Sequence, residues 1–327
     1  MKNGIASKKK RSTTFTRNSV SIAASQNAEV SPPKTIVFGA GGFVGRHLLA
    51  AYRKTDPTTI GTARSSTSGL VDFSFENPDL LRLRGKEQGA KYAVIAAAMT
   101  HIARCEKDLE GAYVANVLGP LALAKQLRAR DITPIVFSSD YVFDGTIGDY
   151  VDAAALQPCN VYGRTKAELE RRLPEVCGDD YLVIRLSKVF GLHRADGTLL
   201  DEMAARFMQG VPVRAAVDQV FCPSWIDDVV LATIALQMAG ARGVYNVCSA
   251  EAVSRHQLAL RLAAAMGVPT KLVQSISLDD LGEEFVRPKR TSMVCERLWK
   301  ILPAGFRSLE SCLQEMAAQY HVRKEVA

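Results

Sequence analysis

Lys34-Thr-Ile-Val-Phe38, Gly39-Ala-Gly-Gly42-Phe-Val-Gly45 and Arg46-His-Leu-Leu-Ala-Ala-Tyr-Arg-Lys54 follow one another without a break. The first piece is short, apolar and β-rich and comes just after a Pro pair, so it reads as a strand. The last has the apolar spacing of a helix. A glycine turn between strand and helix is the context that makes a glycine pattern a dinucleotide fingerprint. Glycines let the backbone turn tightly and approach a pyrophosphate, which rests on the helix N-terminus where N–H groups point outward. The spacing is G-x-x-G-x-x-G through Gly39, Gly42 and Gly45, because Val44 stands where the strict G-x-G-x-x-G needs its last glycine. The expected fold class is therefore α/β, with a Rossmann-type doubly wound parallel sheet.

Working outward, Thr58 to Thr62 reads as a second strand, ending in Ala63-Arg64-Ser65-Ser66. An acidic residue here would accept from the ribose 2′-OH of NAD. Arg64, with Ser65 and Ser66, suits a 2′-phosphate instead, so NADPH is the expected cofactor and NADH the alternative. Val71 to Phe73 is a third strand, with Asp72 a candidate for the adenine amine. Lys91 to Ala98 is a fourth, buried on both faces by its unbroken apolar run. It ends in Ala97, Ala98, Met99 and Thr100, small enough for a cofactor to lie against the backbone. Glu110 to Arg130 is expected as one long helix, interrupted on its apolar face by Asn116, which must find a partner.

Ile132 to Ser139 gives a fifth strand. Ligands of open parallel sheets bind beyond the carboxyl ends of the strands, where Ser138, Ser139 and Thr100 fall. Beyond it, Val161-Tyr-Gly-Arg-Thr-Lys166 opens a helical stretch with no proline before Pro174. Tyr162 and Lys166 would share a helix face. A neighbouring ammonium is expected to lower the phenol from its ordinary pKa of about 10, readying it for proton transfer. A serine at a strand end could orient a carbonyl oxygen that Tyr162 protonates.

Composition narrows the class. Hydrophobic residues make up 47% of 327, ample for a packed core. Seven cysteines, with no C-x-x-C pair, read as buried thiols of a reducing compartment rather than disulfides or metal ligands; no metal site is expected. No apolar run approaches the roughly 20 residues of a spanning helix, which points to a cytoplasmic protein off the membrane. The net charge is +7, but residues 1–33 hold six basic residues against Glu29 alone. That Ser/Thr/Asn-rich segment is expected to be a disordered basic tail, and the folded body is not expected to bind nucleic acid.

Taken together, GAGGFVG, AAAMTHIARCE, SSDYVFDG, YGRTK, RLSKVFG, DQVFCPSWIDD and VRPKRTSM give the chain, from Lys34 onward, its resemblance to an extended short-chain dehydrogenase/reductase. Within that superfamily it resembles the dTDP-4-dehydrorhamnose reductase family. The resemblance implies a sugar-nucleotide substrate and a smaller C-terminal α/β substrate lobe. Residues 34–190 would form the NAD(P)-binding domain and 191–327 mainly the lobe, with some segments returning to the first. A homodimer is compatible with it. It makes Tyr162 the proton donor and Lys166 the residue that lowers its pKa and holds the nicotinamide ribose. Ser139 would polarise the carbonyl, and Asn116 would support the lysine through water. Gly39, Gly42, Phe43, Val44 and Gly45 would line the pyrophosphate. Asp140, Val142 and Lys188 would meet the substrate together with Ser139, and Arg287, whose fork of donors suits diphosphate, would join them.

Two departures stand out. Ala103 replaces the family's aspartate after the fourth strand, and Lys188 replaces an aromatic at the sugar pocket. The expected activity is NADPH-dependent reduction of a nucleotide-linked 4-keto-6-deoxy sugar. A nucleotide-sugar epimerase and a non-catalytic subunit resembling the regulatory subunit of methionine adenosyltransferase are the alternatives. A dehydratase is disfavoured, since no glutamate follows Asp140.

Overall fold

The computed structural model describes residues 31–65 and 69–321. Residues 1–30 of the expected tail, and Ser66 beside Arg64, lie outside the described residues.

One parallel sheet contains β1 (Thr35–Phe38), β2 (Ile60–Ala63), β3 (Val71–Asp72), β4 (Tyr92–Ile95), β5 (Thr133–Ser139), β6 (Leu182–Leu186) and β7 (Gly243–Val247). Its order is β7-β6-β5-β4-β1-β2-β3. The chain winds outward one way from β1 and the other way from β4. Between those two strands the connections leave in opposite directions and open a crevice at the carboxyl ends. Register sets Phe38 level with Ile95 and Ser139 level with Leu186, so the chemistry-bearing strand ends share one edge.

The longer helices are α1 (Phe43–Thr55), α2 (Gly119–Arg128), α3 (Val161–Cys177), α4 (Leu199–Met208), α5 (Ile226–Met238), α6 (Arg255–Ala265) and α7 (Leu309–His321). Alternation along the strands builds a core on each face. Val37, Val94, Ile135 and Ile184 pack with Leu48 and Tyr52 of α1 and Val229 of α5. Ile36, Ala93, Val136 and Val183 pack with Leu127 of α2 and with Leu169 and Leu173 of α3. Covered on both sides, these strands need no polar face, which is why they read as unbroken apolar runs.

A third core joins Leu200 and Met203 of α4, Leu258 and Leu262 of α6, and Leu313 and Met316 of α7. Beside it, Val213–Ala216 pairs in parallel with Val273–Ile276. From this region the chain returns to the main sheet as β7.

Three details differ from the sequence reading. β2 starts at Ile60 rather than Thr58, because Asp56 captures the Thr58 and Thr59 amides in a turn. The expected helix from Glu110 to Arg130 is broken by a π-helical turn at Val114–Leu118, which carries Asn116 inward. The cysteines are all free thiols, but Cys159 is only partly buried, and the supposedly scattered Cys222, Cys248 and Cys295 meet in the core, with Cys248 Sγ 3.3 Å from Cys295 Sγ. Among the described residues no helix is long and apolar enough to cross a membrane.

Candidate active site

The glycine turn is held by close approach. A Cβ on Gly45 would lie 2.2 Å from the Gly39 carbonyl oxygen, so α1 starts hard against the end of β1. No side chain caps the start of α1. Its first residues, Phe43 and Val44, line a cleft of about 400 Å³ at the sheet's switch point. Uncapped amides at a helix N-terminus fit a phosphate group.

Across the cleft stand Ala98, Thr100, Ser138, Ser139, Tyr162 and Lys166. The tyrosine and lysine thus face the same space as Phe43 and Val44, the residues that follow the glycine turn at the start of α1. Several contacts fix them. Asn160 caps α3 by accepting from the Gly163 amide at 2.8 Å. Gly163 lets α3 approach the turn after β5, since a Cβ there would sit 2.1 Å from the Tyr141 carbonyl oxygen. Lys166 Nζ donates to the Phe137 carbonyl at 2.9 Å. One turn further, Glu170 takes the Nε and Nη2 of Arg185, on β6, in a buried pair with Nη2–Oε2 at 2.7 Å.

The electrostatics correct one expectation. Burial pushes the Tyr162 phenol above its ordinary range, the Ser139 hydroxyl opposes that rise, and the Asp140 charge adds to it. The ammonium of Lys166, directed at the Phe137 carbonyl, does not bring the phenol down. Burial depresses Lys166 itself to about 8, with Glu170 pulling it upward. At neutral pH the tyrosine therefore holds its proton, and the lysine is mostly charged.

Other expected site residues divide. Asn116 Oδ1 accepts from the Met99 amide at 2.8 Å, while its Nδ2 donates to the Met99 carbonyl and to Thr165 Oγ1. It clamps the loop after β4 to α3 directly. Asp140 is not a substrate contact. It is buried, accepting Ser139 Oγ and Ser187 Oγ at 3.0 Å and Thr291 Oγ1 at 2.8 Å. One carboxylate thereby joins the ends of β5 and β6 to the segment around Thr291. Val142 is fully buried in the core and cannot reach a ligand. Ala97 turns toward the cluster behind the sheet, against Gly39, so Ala96 and Ala98 are the small residues that face the cleft. Arg287 is engaged by Glu283, with Nη2–Oε1 at 2.6 Å, and lies outside the cleft wall.

Arg64 is exposed just beyond β2, one residue after Ala63, whose methyl lies against Gly41 of the turn. Asp72 is exposed on β3 with Arg82 at 3.7 Å. Lys188 does line the cleft. Sequence reasoning missed Ser187, Glu202 and Arg255, which share that wall. A signal for Arg255 existed in Ser254-Arg-His-Gln257, a capping box that starts α6 at that residue.

The residues present fit a nicotinamide dinucleotide. The amides at the start of α1 are uncapped, and Ser138 Oγ is a buried hydroxyl on the cleft wall with no hydrogen-bond partner. Among the described residues no cluster of His, Cys, Asp and Glu could hold a metal ion.

A switch-point cleft bordered by the helix start that a glycine turn introduces, by a strand-end serine and by a Tyr/Lys pair on the next helix defines a short-chain dehydrogenase/reductase. More narrowly, the chain belongs to the RmlD substrate binding domain family, whose profile matches residues 33–322. A probable low-salt glycan biosynthesis reductase of Haloferax volcanii is 27% identical over 87% of this chain and 97% of its own. The dTDP-4-keto-6-deoxy-D-glucose reductase of Streptomyces niveus is 28% identical over 78% of this chain and 86% of its own. The fold is that of the Bacillus anthracis dTDP-4-dehydrorhamnose reductase solved in complex with NADP, at a TM-score of 0.76 and 20% identity, covering 88% of this chain and 99% of that one.

Proposed function

We propose that the protein is an NADPH-dependent reductase of nucleotide-linked 4-keto sugars. The 4-keto-6-deoxy class, named for the Streptomyces niveus relative, is the first to assay. The observation that carries the reading is the convergence of Ser139, Tyr162 and Lys166 on the cleft that also receives the start of α1.

When bound, NADPH supplies the hydride that adds to C4. The protein positions the partners and manages the proton. Tyr162 enters the reaction protonated, since burial favours the neutral phenol, and it gives its Oη proton to the sugar oxygen. Ser139 Oγ turns its one hydroxyl proton from Asp140 Oδ1 to that oxygen and so holds it beside the phenol. Lys166, one helical turn away on the same cleft wall, adds positive charge on the cofactor's side. Ser138 offers the cofactor an uncommitted hydroxyl. Arg64 favours the 2′-phosphate of NADPH, and Asp72 lies on the adenine side.

The test is NADPH absorbance with a dTDP-4-keto-6-deoxy sugar. Stoichiometric consumption supports a reductase. Cofactor that stays bound without net consumption, while the sugar changes configuration, would identify an epimerase. Binding of sugar and cofactor without any turnover would refute catalysis.

A further inference from the structure

Lys188 and Arg255 stand on the wall of the cleft that holds Ser139 and Tyr162, and among the described residues neither side chain has a carboxylate within salt-bridge distance. The charges acting on Lys188 are Arg255 and Arg287, of like sign, and Asp140 and Glu202, of opposite sign. Asp140 is already committed to three hydroxyls, and Arg287 to Glu283. Glu202 is then the one uncommitted carboxylate facing two uncommitted cations. Lys188 is exposed on that wall and Arg255 half-buried, so an incoming anion can reach both cations.

The position of Lys188 says which part of a ligand it meets. Its neighbour Ser187 donates to Asp140 Oδ2, and Ser139 donates to Oδ1 of the same carboxylate. Lys188 is thus one residue from a hydroxyl tethered to the same anchor as the serine that orients the carbonyl. It shares one cleft with Ser139 and Tyr162, the groups assigned to the ketone, and this is the ground for assigning it to the sugar rather than to the base. Arg255, in the first turn of α6, closes the same side.

We infer that the sugar reduced by this protein carries a carboxylate on the side of the ring facing Lys188 and Arg255, so that its substrate is an acidic 4-keto sugar nucleotide. This rests on the reductase reading, keeps the ketone at C4, and adds a charged group among the ring substituents. An added charge-assisted pair in a partly enclosed cleft is worth roughly tenfold or more in affinity.

The test is binding rather than turnover. Dissociation constants for dTDP-glucuronate, dTDP-glucose and dTDP are measured by calorimetry on the full chain saturated with NADP+, for the wild type, Lys188→Met and Arg255→Met; retained NADP+ binding shows that each variant is folded. The expected result is a preference of about tenfold or more for the uronate, shrinking toward unity in each variant. Equal affinity of the wild type for the two sugars would overturn the inference and leave the reductase reading standing, provided a 4-keto sugar still consumes NADPH. Equal losses for all three ligands in the variants would overturn it too, by assigning the cations to the diphosphate. Failure of the NADP+-bound wild type to take any sugar nucleotide would sink the inference together with the reductase reading.

Discussion

Replacing Glu170 by glutamine perturbs fold and site at once, and the two effects separate. Glu170 and Arg185 have side chains only 4% exposed, joined through two guanidinium nitrogens. Arg185 also donates to the Asp152 carbonyl at 2.8 Å and stacks over Phe143 at 5.2 Å, so it cannot swing out to water. Glutamine keeps the shape but removes the charge and turns an NH2 toward a donor. Breaking one side of a buried pair costs about 3–5 kcal/mol, which for a chain of this size lowers Tm by roughly 5–8 °C. The second effect falls on Lys166, which Glu170 pulls upward. Without that pull its pKa drops below about 8. Loss of the ammonium removes positive charge from the cleft proposed to hold the anionic NADPH, so NADPH affinity should fall with rising pH through about 8 in the wild type and at lower pH in Glu170→Gln.

Linkage has a defined sign. The folded lysine releases its proton before the unfolded one does. The unfolded chain therefore binds more protons between about 8 and the ordinary 10.5, and this group's contribution to stability rises with pH across that window. In Glu170→Gln the window opens at lower pH. Thermal melts and NADPH-quenched fluorescence across the neutral to alkaline range read both effects. A double variant, Glu170→Gln with Arg185→Met, should regain much of the lost stability but keep the shifted NADPH profile. An unchanged Tm, or a profile that does not move, would refute the reasoning.

Two further outcomes follow from the nucleotide end. Gly45→Ala places a methyl 2.2 Å from the Gly39 oxygen, so the turn must open, and NADPH affinity should fall by tenfold or more, on the order of the loss of one charge-assisted contact, as read by fluorescence titration. Arg64→Ala should cut the preference for NADPH over NADH by roughly tenfold while leaving NADH binding nearly unchanged; a ratio equal to that of the wild type would exclude Arg64 from the 2′-phosphate.

The fold was legible where local chemistry has one solution. KTIVF, the glycine turn and RHLLAAYRK left little choice, and the apolar runs of β4 and β5 announced strands covered on both faces. The pair Tyr162 and Lys166 was readable because helical spacing alone puts them on one face. What escaped depends on contacts distant in sequence. That Asp140 faces Ser187 and Thr291 rather than a ligand could not be read from SSDYVFDG, which exposes the aspartate and its neighbours equally. The phenol's upward shift arises from burial by several elements, whereas the sequence showed only the lysine four residues on. Lys188 stood out in the sequence as a cation where an aromatic was expected, but its partner Arg255 lies far along the chain and meets it only when α6 packs against the cleft. The π turn at Val114–Leu118 has no propensity signature; it exists because Asn116 must reach both Met99 and Thr165.

Everything proposed about catalysis turns on the Tyr162 proton. The direct measurement is single-turnover NADPH oxidation by Tyr162→Phe with a 4-keto sugar nucleotide, alongside the NADPH dissociation constant of the same variant. The expected result is a rate reduced by about 10²-fold or more with cofactor affinity close to that of the wild type. A rate within a few-fold of the wild type, at full cofactor occupancy, would contradict the assignment of Tyr162 as the acid.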